Sequence, residues 1–333
     1  MKAIVCETFG PPNTLKQVDV EQPALKPDGV RVSVRAAGVG FVDGLMIQGK
    51  YQVKPPLPYF PGSEFSGVVI ERGSEVSTLE LGQSVMGLAS SGAFSEEVTL
   101  SASRLILLPN GVSHAIAASL YANYATALFG LRDCGGLQPG ESILVLGAAG
   151  GVGSACIATA KAMGANVIAA ASSDAKRAAA VRNGADATVD YTSPNWRNEL
   201  KSVTPNGLNL VYDPVGGDYS EAAFRSLSPG GRHLVVGFAA GTIPAIPLNL
   251  ALLKRSSIVG VDWGGEARAH PHINSELIGT ILHWIEAGTL RPADIVEQPI
   301  TAVRSALDAQ LAGEIVGKLV LVSKPPAIHT PLS

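Results

Sequence analysis

Residues 143–153 read Ile-Leu-Val-Leu-Gly-Ala-Ala-Gly-Gly-Val-Gly, an apolar run followed directly by a turn rich in glycine. The apolar residues predict a buried strand, and the small residues over 152–163 predict a helix. Gly150 and Gly153 stand at the second and third positions of a glycine fingerprint whose first position is Ala148. The second glycine lets the backbone approach a pyrophosphate, and the third lets the helix pack closely on the strand. The stretch therefore predicts a dinucleotide site at a helix N-terminus, where unpaired N–H groups bind anions.

The residues that follow this turn alternate between apolar strands and helices as far as residue 264. The predicted strands after the first are 166–171, 187–190, 208–212, 232–236 and 257–261. Strands that are apolar throughout and separated by helices are typical of a parallel sheet covered on both faces. We therefore expect an α/β fold with a doubly wound parallel sheet over residues 122–264.

The two ends of the chain have a different texture. Over residues 1–121 the apolar runs are short and interrupted by proline and glycine, which predicts a mostly β, antiparallel domain. The tail carries an amphipathic helix near 275–287 and a strand over 318–322, and we expect residues 265–333 to return and complete that first domain. The last residues, 325–333, are expected to fray.

Composition limits the possible partners and compartments. The 333 residues are 46% hydrophobic and 16% charged, enough apolar material for a large core, and the net charge is −3. The basic residues are not gathered in a stripe, so we expect no nucleic-acid and no membrane partner. Three scattered cysteines fit a reducing compartment, and no signal-peptide core or uncharged run of about 18 apolar residues occurs. These features predict a cytoplasmic protein.

The end of the strand over 166–171 bears on which dinucleotide binds. An acidic residue there would bind a free ribose 2′-hydroxyl, but Ser172 occupies that position. The neighbouring hydroxyl of Ser173 and the cations Lys176 and Arg177 suit a 2′-phosphate. Asp174 argues the other way unless it lies in the first turn of the next helix. On balance these residues favour NADPH.

No pattern in the sequence indicates a metal or a covalent catalyst. Zinc needs Cys, His or carboxylate ligands that converge on one point, and Cys6, Cys134 and Cys156 lie in unrelated segments. The histidines show no HExxH spacing, and no G-x-S-x-G turn occurs. We therefore predict no metal site and expect hydride chemistry carried by the coenzyme, with the protein supplying position and electrostatics.

Several motifs together resemble the zinc-free quinone oxidoreductase branch of the medium-chain dehydrogenase/reductase superfamily, which includes zeta-crystallin and enoyl reductases. These motifs lie at residues 36–43, 58–67, 123–127, 148–153, 211–213 and 317–318. Zinc-dependent relatives would carry Cys where Gly40 stands and His where Ser63 stands. The resemblance implies a GroES-like catalytic domain formed by residues 1–121 and 265–333, a Rossmann NADP-binding domain over 122–264, and a homodimer joined along the strand 257–261.

The resemblance also assigns coenzyme contacts by position. The pyrophosphate contacts would be Ala148, Gly150, Gly151, Val152 and Gly153. The contacts to the adenosine half and its 2′-phosphate would be Ser172, Ser173, Lys176 and Tyr191. The contacts near the nicotinamide would be Gly237, Phe238, Ala239, Asp262, Trp263 and Lys318.

The substrate pocket departs from the family pattern. Family members often carry Asn where Gly40 stands and Tyr where Leu45 stands, so this pocket is expected to be more apolar and roomier. The resemblance places Tyr51 and Thr126 near the nicotinamide, and their hydroxyls are the candidate catalytic groups. Tyr51 reads equally well as a packing tyrosine under a proline-rich loop.

Two functions follow from these expectations. The first is an NADPH-dependent oxidoreductase that transfers hydride to a quinone, or to the C=C bond of an α,β-unsaturated carbonyl, without a metal. The alternative is an NADPH-binding protein of the zeta-crystallin type, with a structural or nucleic-acid-binding role and little catalysis. A metal-dependent alcohol dehydrogenase is disfavoured because the ligands are missing.

Overall fold

The computed structural model describes residues 1–323, which form two compact units. Unit 1 contains Met1–Tyr121 and the chain from Ile295 onwards, and unit 2 contains Ala122–Asp294. The first boundary agrees with the expected one, but the second lies at 294/295 rather than 264/265. Residues 265–294 remain with unit 2 because Glu276 pairs with Arg132 at 2.9 Å and the Ala293 N–H donates to the Tyr124 hydroxyl at 2.7 Å. The tail over 325–333 lies outside the described residues.

The secondary structure contains β strands and α helices in both units. The strands are β1 (Lys2–Val5), β2 (Lys16–Asp19), β3 (Gly29–Val39), β4 (Glu64–Arg72), β5 (Ser84–Leu88), β6 (Glu97–Ser101), β7 (Leu105–Leu107), β8 (Ser142–Val145), β9 (Asn166–Ala170), β10 (Ala187–Val189), β11 (Leu208–Asp213), β12 (Leu227–Val235), β13 (Ser257–Gly260), β14 (Ile295–Pro299) and β15 (Lys318–Val322). The helices are α1 (Phe41–Ile47), α2 (His114–Leu128), α3 (Gly151–Ala162), α4 (Asp174–Arg182), α5 (Trp196–Val203), α6 (Asp218–Phe224), α7 (Leu248–Lys254), α8 (Trp263–Ala269), α9 (His272–Glu286) and α10 (Val303–Leu311). Helix α2 continues into a π turn over Phe129–Cys134.

Unit 2 is built on a six-stranded sheet in the order β10-β9-β8-β11-β12-β13, and every pair in it is parallel. This order confirms the predicted doubly wound sheet. Residues Ile143, Leu144 and Val145 of β8 are fully buried, as expected for a strand covered on both faces. The order in which the strands are added to the sheet reverses between β8 and β11. Doubly wound sheets bind ligands at this point, at the carboxyl ends of their strands.

Unit 1 is a mostly antiparallel sheet that the tail completes, as the sequence predicted. Its strands follow the order β14-β15-β3-β4-β5-β7, and β6 also pairs with β3. Strand β15 lies antiparallel to β3, with Leu319 opposite Val39 and Val322 opposite Ala36. The side chains of Leu319 and Leu321 are buried in the same core as Phe65. Burial of their apolar surface stabilises the pairing of the tail with unit 1.

Within residues 1–323 no helix has the length and apolar character needed to cross a membrane. Cys6 and Cys156 are buried as free thiols, and Cys134 is half-buried. Burial raises the pKa of the Cys156 thiol well above its usual value, which keeps it protonated and unreactive.

Candidate functional site

The glycine turn joins the carboxyl end of β8 to the first residue of α3. Gly147 has a φ of +57°, a backbone conformation that favours glycine. Gly150 is the N-cap residue of α3 and is extended, with φ −78° and ψ 170°. Within the described chain no side chain caps this end of the helix. The first N–H groups of α3 are therefore available to an anion, and the helix dipole favours one there.

The second and third glycines of the turn have different surroundings. A Cβ atom at Gly153 would lie 2.3 Å from the carbonyl oxygen of Gly147, so only glycine allows this approach of helix and strand. A Cβ atom at Gly150 would meet nothing of the protein closer than the Gly147 oxygen at 3.5 Å. Because Gly150 has no side chain, the space beside the turn is open, as a ligand would require.

Asn123 supports the turn from the side, a role that the spacing of the glycines does not reveal. A Cβ atom at Gly151 would come within 2.7 Å of the Asn123 amide nitrogen, and Asn123 is itself buried. The residue belongs to α2, 28 positions before Gly151 in the numbering. A sequence signal exists only in the motif at residues 123–127, which carries the family resemblance.

Four residues predicted to hold the adenosine end lie together after β9 and β10. The Lys176 ammonium donates to the Ser172 hydroxyl at 3.5 Å, and the Ser172 side chain is hydrogen-bonded to Tyr191. Ser173 is the N-cap of α4, where its hydroxyl accepts the Lys176 backbone N–H at 3.4 Å. Burial raises the pKa of Tyr191, so its hydroxyl stays a proton donor at neutral pH. Together these four residues present hydroxyl groups and one ammonium group after the ends of β9 and β10.

Arg177 and Asp174 have partners that the sequence did not reveal. The Arg177 guanidinium pairs with Asp174 and, at 2.8 Å, with Asp190 beyond β10, and it also donates to the Ala171 carbonyl at 3.2 Å. Two carboxylates thus engage this arginine, and Asp174 is paired with it in the first turn of α4. The Asp174 carboxylate therefore argues less against a 2′-phosphate than its position in the sequence suggests, and Lys176 is the cation that lies beside Ser172.

One carboxylate at the end of β11 holds the loop that follows this strand, α6 and β12 together. Asp213 accepts the backbone N–H groups of Val215 and Gly216 at 2.9 and 2.8 Å, the Ser220 hydroxyl at 2.5 Å, and lies 3.0 Å from His233 Nε2. Burial alone would raise the pKa of Asp213, but the hydrogen bonds from His233 and Gly216 hold it below its usual value.

The predicted segment 237–239 is held by backbone hydrogen bonds to the end of β11, the strand that carries Asp213. The Gly237 N–H donates to the Asp213 carbonyl at 3.3 Å, and the Ala239 N–H donates to Pro214 at 3.1 Å. The Phe238 side chain is 38% exposed. The sequence identified the segment but gave no sign that the backbone carbonyls of Asp213 and Pro214 hold it in place, because they lie at the end of a different strand.

The remaining predicted residues of unit 2 make contacts of their own. Thr126 donates its hydroxyl proton to the Ala122 carbonyl oxygen at 2.6 Å, so in this rotamer the hydroxyl has lone pairs left to accept a hydrogen bond but no proton to give. Asp262 is the N-cap of α8 and accepts the Gly265 N–H at 2.8 Å. The Trp263 indole N–H donates to Asn274 at 3.1 Å.

The predicted residues of unit 1 lie on and after α1, apart from Lys318 on β15. Gly40 is the N-cap of α1, and the half-buried Leu45 accepts the Lys50 N–H at 2.9 Å through its carbonyl oxygen. Tyr51 is half-buried, and its hydroxyl has no hydrogen-bond partner within residues 1–323. Lys318 is buried and paired with Glu64. The Lys318 ammonium is therefore paired with a carboxylate in the interior of unit 1.

The described residues do not fit a zinc ion. No group of three or more His, Cys, Asp or Glu side chains in residues 1–323 is arranged to hold a metal. The positions where zinc-dependent relatives would supply a thiolate and an imidazole carry Gly40 and Ser63.

Comparison with known proteins agrees with this geometry. Residues 26–110 match the family model of the alcohol dehydrogenase GroES-like domain, and residues 151–278 match that of the zinc-binding dehydrogenases. Quinone oxidoreductase-like protein 2 of Rattus norvegicus is 37% identical over 97% of this chain and 92% of its own length. These matches cover both units.

Solved structures of similar fold cover nearly the whole chain. A probable oxidoreductase of Mycobacterium abscessus has a TM-score of 0.87 at 35% identity, over 97% of this chain and 99% of that one. The quinone oxidoreductase of Escherichia coli, in complex with NADPH, has a TM-score of 0.87 at 25% identity, over 97% of this chain and 100% of that one.

Proposed function

The chain belongs to the quinone oxidoreductase branch of the medium-chain dehydrogenase/reductase superfamily, and on that premise we propose that it is a zinc-independent, NADPH-dependent reductase. Its acceptor is a quinone or the C=C bond of an α,β-unsaturated carbonyl. The observation that carries the proposal is the uncapped glycine turn at the reversal of the parallel sheet, with hydroxyls and an ammonium at the end of the next strand.

The turn would hold the diphosphate of the coenzyme. The backbone N–H groups of Gly151, Val152 and Gly153 begin α3, and Gly150 leaves the approach to them open, while Ala148 is buried. An anion at such a helix end is stabilised by both the unpaired donors and the helix dipole. The close packing at Gly153 keeps these donors in place.

The edge formed by Ser172, Ser173 and Lys176 supports the choice of NADPH over NADH. Lys176 brings a positive charge beside the Ser172 hydroxyl, and Arg177 offsets Asp174. A charge-assisted hydrogen bond contributes about 1.5–3 kcal/mol. One such contact to a 2′-phosphate would favour NADPH by roughly ten- to a hundredfold.

When bound, the reduced nicotinamide supplies a hydride to the acceptor. The protein's task is then to orient the acceptor and to stabilise the negative charge that develops on its oxygen. The Tyr51 hydroxyl has a proton to donate, whereas Thr126 already donates its own to Ala122. Gly40 and Leu45 leave the acceptor pocket apolar, which suits a flat conjugated molecule.

A substitution at Lys176 tests the coenzyme assignment. Lys176→Ala is expected to raise the KM for NADPH about tenfold, because one charge-assisted contact is lost, and to leave the KM for NADH nearly unchanged. Lys201→Ala, at an exposed lysine of α5, is the matched control. Equal effects on both coenzymes would show that Lys176 does not face the 2′-phosphate.

Stopped-flow loss of NADPH absorbance with a panel of quinones, enals, enones and enoyl thioesters tests the reaction. We expect turnover with at least one of these classes, and added chelator should not change the rate. Absence of turnover with every class would contradict the proposed reduction.

The replacement of Asn and Tyr by Gly40 and Leu45 favours one alternative, an NADPH-binding protein of the zeta-crystallin type with little catalysis. Tight NADPH binding without turnover would support that alternative. Stoichiometric zinc in the purified protein would instead support a metal-dependent dehydrogenase.

A further inference from the structure

Three ionisable side chains are buried together in unit 1. Asp43 comes from α1, Glu64 from the start of β4 and Lys318 from the start of β15, and they are between 2% and 7% exposed. The Lys318 ammonium donates a hydrogen bond to Glu64 Oε1. We call these three residues the charged cluster. Charges are rarely buried unless they are paired and have a role.

The charged cluster has one cation for two carboxylates. The pKa of Asp43 is raised to about 6, mainly by burial and to a smaller extent by the negative charge of Glu64, while the Gly40 N–H, Lys318 and the Gly62 N–H act in the opposite direction. Tyr59 also faces the carboxylate, and its own pKa is raised by burial and by Asp43. The cluster thus takes up a proton as the pH falls towards the weakly acidic range.

The Asp43 carboxylate joins two backbone segments. Asp43 Oδ2 accepts the Gly40 N–H at 2.7 Å, and the carboxylate also accepts the Gly62 N–H. Gly62 has a φ of +91°, and a Cβ atom there would lie 2.6 Å from the Phe94 ring, so its loop has one tightly specified conformation. The carboxylate thus fixes residues 39–41 against residues 61–63.

The space at position 40 opens towards the charged cluster. A Cβ atom at Gly40 would find Asp43 Oδ2 at 3.3 Å and Lys318 Nζ at 4.0 Å as its nearest side-chain atoms. Because glycine has no side chain, the carboxylate and the ammonium are the side-chain groups nearest to a position that the proposed function assigns to the acceptor pocket. A chain with a side chain at this position would screen them.

We propose that Asp43 is a positioning residue of this reductase: held by Lys318 and Glu64, its carboxylate ties the Gly40 and Gly62 segments together and so sets the shape of the acceptor pocket. This inference rests on the proposed function, which assigns Gly40 to the acceptor pocket, and the Gly62 segment is joined to Gly40 through the Asp43 carboxylate. A protonated carboxyl accepts hydrogen bonds more weakly than a carboxylate. Acceptor binding should therefore weaken as the pH falls through the range in which Asp43 titrates.

The test compares wild type with Asp43→Asn over pH 5 to 8, using the best acceptor from the panel. Wild type should show a KM for the acceptor that rises several-fold below about pH 6, with the Kd for NADPH unchanged. Asp43→Asn keeps one acceptor oxygen and loses the other, so its KM should be about tenfold higher and independent of pH. Asp308→Asn, at an exposed aspartate of α10, is the control and should behave as wild type.

A second variant separates positioning from a merely structural role. Glu64→Gln removes the neighbouring negative charge that raises the Asp43 pKa, so the pH at which KM begins to rise should move downwards. A KM that is flat with pH in wild type, or an inflection that does not move in Glu64→Gln, would overturn the proposal even if Asp43→Asn does not fold.

Hydrogen–deuterium exchange gives a readout that needs no turnover. In Asp43→Asn the amides of peptides covering 39–45 and 60–64 should exchange faster, with the rest of unit 1 unchanged. Unchanged exchange there would overturn the proposal. Absence of turnover in wild type, with the exchange change present, would refute the reductase function but not the tie between the two segments.

Discussion

Gly150 and Gly153 are three residues apart, but their missing side chains serve different neighbours. Gly153 serves the fold, because a Cβ atom would lie 2.3 Å from the Gly147 carbonyl oxygen. Gly150 leaves open space on the side where a diphosphate would bind. The fingerprint requires glycine at both positions. Only the surroundings of each residue show which glycine allows close packing and which leaves room for a ligand.

This difference predicts opposite outcomes for two alanine variants. Gly150→Ala should fold normally, within about 0.5 kcal/mol of wild type, because its φ of −78° suits alanine, but its Kd for NADPH should rise at least tenfold. Gly153→Ala should lose about 1–3 kcal/mol of unfolding free energy through overpacking. Urea unfolding and calorimetric titration measure the two effects, and similar stability losses in both variants would contradict this assignment.

At the scale of the elements, one buried carboxylate joins β11, the loop after it, α6 and β12. Asp213 at the end of β11 collects hydrogen bonds from its own loop, from α6 and from His233 on β12. A carboxylate with several donors stabilises the fold only while it is ionised. The loop with Gly216, helix α6 and His233 of β12 are therefore tied to the same charge.

Because the pKa of Asp213 lies below its usual value of 3.8, its contribution to stability is present above that pH and is lost as the pH falls through the lower, folded-state value. Asp213→Asn should cost about 1–3 kcal/mol at pH 7, and the difference from wild type should shrink below pH 4. Urea unfolding at several pH values measures this. Asp218→Asn, at an exposed position of α6, is the control, and a constant difference across pH would contradict the argument.

At the scale of the whole molecule, unit 2 exposes apolar side chains in and before α7, and its sheet ends at β13. Ile243, Leu248, Leu252 and Leu253 are between 73% and 79% exposed, and β13 ends the sheet with an edge that bears Ile258. A strand at the edge of a sheet and exposed apolar side chains are both features that favour pairing with another chain. The expected homodimer would use this edge.

Light scattering tests that expectation. The purified protein should be a dimer, and Leu252→Glu should shift it towards monomer because a charge would be buried in the interface. Leu81→Glu, at a leucine of unit 1 that is 63% exposed, is the matched control and should leave the dimer intact. A monomeric wild-type protein would exclude the dimer.

The sequence by itself determined the parallel sheet, the glycine turn and the return of the tail. The run 143–146, the glycines that follow it and the apolar residues of 318–322 each have a local pattern, and local patterns specify strands, turns and buried faces. The serines and Lys176 after β9 were also identified this way, because they follow the strand directly. The sequence therefore determined those features that depend on residues close together along the chain.

Only the tertiary structure decided which distant side chains meet. The boundary moved to 294/295 because Glu276 and Ala293 bond to residues of α2 and the π turn, and Arg177 is engaged by Asp190, 13 positions away in the numbering. The charged cluster draws Asp43, Glu64 and Lys318 from three elements. Their burial, charge balance and hydrogen bonds arise only when the sheet of unit 1 closes, since no periodicity along the chain records which strands become neighbours.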